Sequence, residues 1–353
     1  MNESNYNAIA IVDSLVNITS HTEKTVLEQS LLIALNALIP TKNIRLFRVQ
    51  KTGEKHEISL LAFSANGVIS SSQSDKQPQL ISDELSAAFE SISQHGESVS
   101  IANVDNTGWQ IIYPSFDANK DIFMILVQSC QQPTVREQKT VHGIFKVYAN
   151  HVALIEKTQR DKLTGLFNRE TLDDEITKIL VNSNNDLFDI NVNDARRSSG
   201  TPCNWLGVID IDHFKLINDN YGHLYGDEVL ILTSRLMTSG CMRDDDLVYR
   251  YGGEEFVVLL KAMTEKDAMN AFDRLRVIVA EHDFPQVGTV TISIGFVEVT
   301  EQQTPSDVIG EADAALYYAK HNGRNQTQSY HQLVEQGILV VAEHVESPDV
   351  ELF

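Results

Sequence analysis

The stretch Trp205-Leu-Gly-Val-Ile-Asp210-Ile-Asp212 is apolar until it ends in two carboxylates. A short apolar run of this kind reads as a buried strand, and its period of two puts Asp210 and Asp212 on one face. Two like charges at one strand end cost free energy unless a cation neutralises them. The plain alternative is that they cap the short helix predicted over His213–Asn218. Downstream, Val248-Tyr-Arg-Tyr251 and Phe256-Val-Val-Leu259 read as the arms of a hairpin over Leu247–Leu260, joined by Gly252-Gly253-Glu254-Glu255. The glycines are expected to supply the positive φ of a tight turn and to leave room for a ligand against the backbone. The glutamates are either a solvated turn or, beside the carboxylate strand end, part of an oxygen-only Mg²⁺ site.

Around this pair, Asn168 is placed to cap a helix whose apolar residues Leu172, Ile176, Ile179 and Leu180 share one face. The polar stretch Asn182–Asn204 reads as a surface insertion. Helices are expected over Leu224–Met237, Glu265–Glu281 and Pro305–Lys320, with an alternating strand over Thr289–Thr300. Residues Ser329–Phe353 hold five acidic side chains and no Lys or Arg. They are expected to form a strand near Gly337–Ala342 or a packed tail, then a frayed end.

Residues 1–133 alternate helix and strand signals. A helix over Leu27–Leu38 stops at Pro40, and strands follow at Ile44–Val49 and Ile58–Phe63 around Gly53. A Ser/Gln-rich loop (Ser70–Gln79), a helix (Asp83–Ser93) and strands at Ser98–Ala102, Gln110–Tyr113 and Ile122–Gln128 complete the pattern. This α+β order resembles a GAF-type sensory domain, with a PAS-like module as the competing label. It carries no metal or haem signature; His56, His95 and Trp109 read as ordinary core or surface residues. Residues 134–160 form one long helical pattern. Within it Val141, Phe145, Tyr148, Val152 and Ile155 are spaced as a heptad seam, suited either to a dimer-forming signalling helix between two domains or to a helix packed on its own domain.

Composition bounds the function. The 353 residues suggest about two domains. A hydrophobic share of 42% excludes global disorder. The net charge of −21 argues against a nucleic-acid polymer as partner, yet it allows a nucleotide substrate whose phosphates ride on a carboxylate-held metal. Cys130, Cys203 and Cys241 are too scattered for a disulfide framework or zinc site. Apolar runs such as Ile122–Val127 fall far short of the ~20 residues of a membrane span. The N-terminus lacks the basic region of a secretory signal, so a cytoplasmic location is expected.

Several motifs stand in a fixed order: Asp161-Lys-Leu-Thr-Gly-Leu-Phe-Asn-Arg169, Asp210-Ile-Asp-His-Phe-Lys-Leu-Ile-Asn-Asp219, Gly222-His223 with Gly226-Asp227, Arg250-Tyr-Gly-Gly-Glu-Glu-Phe256, Val290-Thr-Ile-Ser-Ile-Gly295, Ala312-Asp313, Ala319-Lys320 and Gly323-Arg-Asn325. Together they make residues 161–328 resemble the GGDEF-domain diguanylate cyclases, in the GGEEF form. The resemblance implies a nucleotidyl-cyclase or polymerase-palm-like α+β domain, a central sheet flanked by helices. It implies condensation of two GTP into cyclic di-GMP and two pyrophosphates across a homodimer, with Mg²⁺ or Mn²⁺.

By motif position, Asp210, the Ile211 carbonyl and Glu254 bind the metal, and Glu254 accepts the 3′-hydroxyl proton. Asp212 and Glu255 are candidates for a second metal. Asn218 and Asp227 fall at guanine-reading positions, and His223, Gly252 and Gly253 at further substrate contacts. Lys215, Lys320, Arg324 and the backbone N–H groups of His213 and Phe214 fall at phosphate contacts. Arg243 and Asp246, with Arg274, match a product-inhibition site that binds cyclic di-GMP. Glu170 stands where the family often has Arg, which touches only an interdomain contact, and the insertion lies away from the motif residues. No EAL-type phosphodiesterase motif is visible, so synthesis without breakdown is expected. The N-terminal ligand is left open, as is a catalytically silent receptor for GTP or cyclic di-GMP acting through a protein partner.

Overall fold

The computed structural model describes residues 3–39, 43–52, 55–71, 79–80, 88–89, 91–92, 96, 98–102, 108–117, 119–131, 134–188, 202–243, 246–300 and 304–340. The chain divides into two compact units, Met1–Thr158 and Gln159–Phe353.

In the first unit an antiparallel sheet runs in the order β3 (Val68–Ser71), β2 (Lys55–Ala65), β1 (Asn43–Thr52), β7 (Ile122–Cys130), β6 (Trp109–Phe116), β5 (Val99–Ala102), with β4 (Gln79–Leu80) pairing on β2. Helices α1 (Glu3–Thr19), α2 (Lys24–Leu38) and α3 (Val135–Thr158) build one core cluster with this sheet. The sequence reading missed α1. Its Ile18 is buried while Ile9, Val12 and Val16 are exposed, so no single apolar stripe marks it. Of the helix expected over Asp83–Ser93, residues 88–89 and 91–92 are helical and the rest lie outside the described residues, as do His95 and positions 72–78 of the expected loop. The other end of that loop expectation is corrected: Ser70 and Ser71 belong to β3, and Gln79 pairs on β2.

The heptad-spaced residues of α3 do not face outward. Val141, Phe145, Tyr148, Val152 and Ile155 are all buried, in the same cluster as Leu27, Leu31 and Leu35. The seam is therefore a face packed on its own unit, and α3 belongs to that unit rather than forming a separate linker. Polar groups here are matched internally. Tyr113 donates to Gln128 at 2.8 Å in the interior. Arg48 forks onto both oxygens of Glu156 at 3.1 and 3.0 Å, and Lys24 adds a contact at 3.2 Å. Burial pushes the Glu156 carboxyl up, but Arg48 and Lys24 outweigh it and hold it below its ordinary value.

The second unit is a six-stranded sheet in the order β15 (Thr327–Ser329), β14 (Ile292–Glu298), β9 (Cys203–Ile211), β11 (Glu255–Ala262), β10 (Leu247–Arg250), β8 (Phe167–Asn168). The outer pairs β14·β15 and β8·β10 are parallel and the rest antiparallel. Alternation along β9 splits the core. Trp205, Ile209 and Ile211 pack with Phe272 and Leu275 of α7 (Glu265–Glu281), on the side that also holds α5 (Phe214–Tyr221) and α6 (His223–Leu236). Leu206 and Val208 pack with α4 (Arg169–Phe188) and α8 (Pro305–His321). Asn168 caps α4 by accepting from the Thr171 N–H at 3.1 Å.

Three expectations are corrected. α4 continues to Phe188, so the expected insertion begins as helix; residues 189–201 lie outside the described set and β9 starts at Cys203. The long strand of Thr289–Thr300 is broken, with β13 (Gly288–Thr289) pairing on β12 (Asp283–Phe284) and β14 beginning at Ile292. Near the C-terminus the strand is Thr327–Ser329, followed by helix α9 (Tyr330–Glu335); residues 337–340 are not in a strand, and 341–353 lie outside the described residues. Among the described residues no helix is long and apolar enough to cross a membrane.

Candidate functional site

The site grows from the end of β9. Asp210 is a Cα partner of Glu255 in β11, and the Ile211 N–H reaches the Glu254 carbonyl at 3.4 Å. This register brings Asp210, Ile211, Glu254 and Glu255 together. Lys320 joins them from the last turn of α8, its Nζ 2.7 Å from Asp210 Oδ2. The helix can lie that close because position 295 in β14 is glycine: a Cβ there would collide with the α8 backbone at Leu316 and Ala312.

The electrostatics are unbalanced. Asp210 is buried, and burial pushes its carboxyl up to about 6; Lys320 only partly offsets this, and Glu254 and Glu255 add to it. Glu254 is raised as well, by burial and by Glu255, against the pull of Lys320. Two carboxylates that resist ionising beside a single ammonium form a site short of positive charge.

Asp212 is different, although it shares the face of Asp210. Its Oδ2 accepts from Thr291 at 2.7 Å and from the Asn325 N–H at 3.0 Å, and its Oδ1 accepts from Ser293 at 2.7 Å. Neither aspartate caps the following helix. That helix starts at Phe214 on His213, which sits in the left-handed region (φ 58°), and no side chain caps it. The capping alternative is therefore overturned. The first-turn amides are left for backbone, water or an anion.

Gly252 and Gly253 do not have positive φ, contrary to the expectation for a tight turn. Gly252 is required for space, since a Cβ there would press on the Glu255 carboxylate, whereas a Cβ at Gly253 would meet nothing within 4 Å. Arg250 holds the turn: Nε donates to the Gly252 carbonyl at 3.2 Å and one terminal nitrogen to the Gly253 carbonyl at 2.8 Å. Its other terminal nitrogen reaches Asp161 at 3.0 Å.

Asn218 lies on α5 against Gly226 of α6, where a Cβ would collide with its carboxamide oxygen; Asp227 follows, exposed. His223 opens α6, and it and Lys215 are exposed. Arg324 is exposed and occupies a left-handed turn (φ 60°) after α8. Arg243 and Asp246 share a tight turn, with the Arg243 N–H donating to the Asp246 carboxylate at 2.8 Å. They line a cleft of about 250 Å³ with Arg160, Phe167, Thr238 and Met242; Arg274, on α7, does not line it. A second cleft, about 620 Å³, opens beside Glu255 and Tyr251, and the Arg169 guanidinium stacks over Tyr251 at 4.5 Å. Sequence reasoning missed Arg160, Arg169 and Arg250 as organisers of this unit, although all three stand within or beside the quoted motifs.

Among the described residues no three His, Cys, Asp or Glu side chains converge as a metal-holding group. Mg²⁺ is commonly held by one or two carboxylates plus substrate phosphates and water. Asp210 and Glu254, raised by burial and short of counter-charge, fit such an ion.

Residues 158–326 match the family model described as diguanylate cyclase, GGDEF domain. The chain is 35% identical over 186 residues to the diguanylate cyclase DgcZ of Escherichia coli (strain K12), covering 52% of this chain and 55% of the relative. It is 34% identical over 172 residues to the diguanylate cyclase VdcA of Vibrio cholerae, covering 47% and 45%. A solved structure of the active GGEEF domain of a diguanylate cyclase from Vibrio cholerae is 31% identical, covering 46% of this chain and 96% of that one, with a TM-score of 0.40. The chain spans about half the length of these curated relatives. Residues 158–326, almost all of them in the second unit, are thus similar to a GGDEF domain.

Proposed function

We propose that this protein is a diguanylate cyclase that condenses two GTP into cyclic di-GMP, each of two copies holding one GTP. The observation that carries the reading is the under-compensated pair Asp210 and Glu254 beside Lys320. Mg²⁺ or Mn²⁺, held by Asp210, the Ile211 carbonyl and Glu254, supplies charge neutralisation for the triphosphate when bound. Glu254, its carboxyl raised above the ordinary value by burial, is suited to take the 3′-hydroxyl proton as that oxygen attacks the α-phosphorus and pyrophosphate leaves. Asn218 and Asp227 read the guanine edge, the carboxylate accepting from the adjacent N–H donors of the base. Lys320, Arg324, Lys215 and the backbone N–H groups of His213 and Phe214 hold the phosphates, and His223 makes a further substrate contact. Gly253 leaves the turn open to the nucleotide. Asp212, already satisfied by three donors, serves as an anchor of the β9 end rather than as a ligand of a second metal.

The first unit is proposed as a GAF-like sensory domain. Its antiparallel sheet, with first and last helices on one face, supports that label. The two copies do not pair through the Val141–Ile155 seam, which is buried. The Arg243–Asp246 cleft is proposed to bind cyclic di-GMP and slow turnover. The test is incubation of the purified chain with Mg²⁺ and GTP and identification of the product by mass. Cyclic di-GMP with two equivalents of pyrophosphate, and a specific activity that rises with protein concentration in dilute solution, is the expected result. GTP bound but unchanged would mark a silent receptor instead.

A further inference from the structure

The loop between α3 and α4 touches two sites at once. On one side Arg160 and Phe167 line the cleft that holds Arg243 and Asp246. The Arg160 guanidinium lies over the Phe167 ring at 4.7 Å and donates to the Gly165 carbonyl at 2.7 Å. On the other side Asp161 Oδ1 gathers the Leu163 N–H, the Thr164 N–H and hydroxyl, and Arg250. Burial works against the Asp161 charge, yet Thr164 and Arg250 prevail and hold its carboxyl below the ordinary value. All three nitrogens of Arg250 are engaged: one on Asp161, two on the carbonyls of Gly252 and Gly253 that lead into Glu254. The loop is closed by the Asp161 N–H on the Leu166 carbonyl (2.8 Å) and the Gly165 N–H on the Asp161 carbonyl (2.9 Å).

We propose that the loop Arg160–Phe167 couples the Arg243–Asp246 cleft to the catalytic turn, with Arg250, held by Asp161, as the positioning residue for Glu254. The proposal rests on the cyclase reading and gives a route for its product inhibition within one unit. A phosphodiester in the cleft offers Arg160 a charge-assisted partner stronger than the neutral Gly165 carbonyl. Drawing Arg160 away opens the Asp161–Leu166 turn, and the Arg250 fork then loses the anchor that keeps the Gly252 and Gly253 carbonyls in place. Small displacements of a reacting group are costly to turnover even when substrate binding is untouched.

The experiment uses the full chain, as parent, Arg250→Lys and Asp161→Asn, each with and without cyclic di-GMP. It reads turnover, calorimetric binding of cyclic di-GMP, and hydrogen exchange of the amides of residues 250–256. Arg250→Lys keeps the charge but loses the fork; it is expected to lower kcat about tenfold to a hundredfold with KM for GTP little changed. Cyclic di-GMP is expected to speed exchange at the turn of the parent. In Asp161→Asn it should still bind, yet remove less than half the fraction of turnover that it removes from the parent. If that variant fails to fold, Thr164→Val, which deletes one donor to Asp161 and the long Leu166 N–H contact on the same hydroxyl, carries the same comparison. Binding with equal fractional inhibition in parent and variant, and an unaltered turn, overturns the coupling while leaving the inhibitory cleft standing. No binding of cyclic di-GMP to the parent overturns both. A parent that makes no product refutes the cyclase reading, and the exchange and binding data still decide the coupling.

Discussion

The two units treat buried charge in opposite ways. In the first, Glu156 is met by a bidentate Arg48 and by Lys24. In the second, Asp210 and Glu254 share one lysine and are both pushed towards the protonated form. A protein pays for unbalanced burial only where something else restores the balance, so the imbalance marks the place where a cation and a phosphate are expected. The same contrast holds two residues apart, between Asp210 with its single lysine and Asp212 with three donors.

The strongest way to break this contrast is to neutralise the underserved side. Glu254→Gln keeps shape and removes the charge. It should lower cyclic di-GMP formation about a thousandfold, the scale of a lost general base, with the melting temperature unchanged or raised. Rates within tenfold of the parent would return Glu254 to a solvated turn. On the balanced side, Phe145→Glu with Tyr148→Glu places two carboxylates in a closed core. The first unit should lose about 4 kcal/mol or more, seen in chemical unfolding, rather than release an intact monomer. A stable, folded monomer would restore the seam as a pairing surface.

Base choice should respond more modestly. Asn218→Ala or Asp227→Ala should cost about ten- to a hundredfold in kcat/KM for GTP and narrow its advantage over ATP. Equal rates of ATP and GTP turnover in the parent would contradict the guanine assignment. The smallest effect concerns pH. Glu156 has a folded pKa below its unfolded one, so its contribution is complete above the unfolded value and is lost as pH falls through the folded value. The melting temperature of the first unit should therefore drop between about pH 5 and pH 3, and less so in an Arg48→Ala variant.

Much of the second unit was legible because its elements carry strong periodic signals and its site residues sit in contiguous motifs. The helix over Glu265–Glu281 matches its expected bounds, and the arms of the hairpin fall where the apolar runs lie. What escaped was set by tertiary contact. A heptad spacing cannot say whether its partner is another chain or its own sheet, and the buried α3 seam is the second case. A glycine pair cannot say whether it serves φ or space; at Gly252 the reason is Glu255. Asp210 and Asp212 look equivalent along the strand, and only the positions of Thr291, Ser293, Asn325 and Lys320 separate them.

That separation is tested most directly by replacing each aspartate with asparagine and measuring melting temperature and GTP turnover side by side. Ionised Asp210 costs stability at neutral pH because its folded pKa lies above the unfolded one, so Asp210→Asn should melt no lower than the parent while losing product formation. Asp212→Asn should melt lower, since three donors lose their carboxylate. A destabilised Asp210→Asn that still turns over GTP, with Asp212→Asn stable and inactive, would contradict the account.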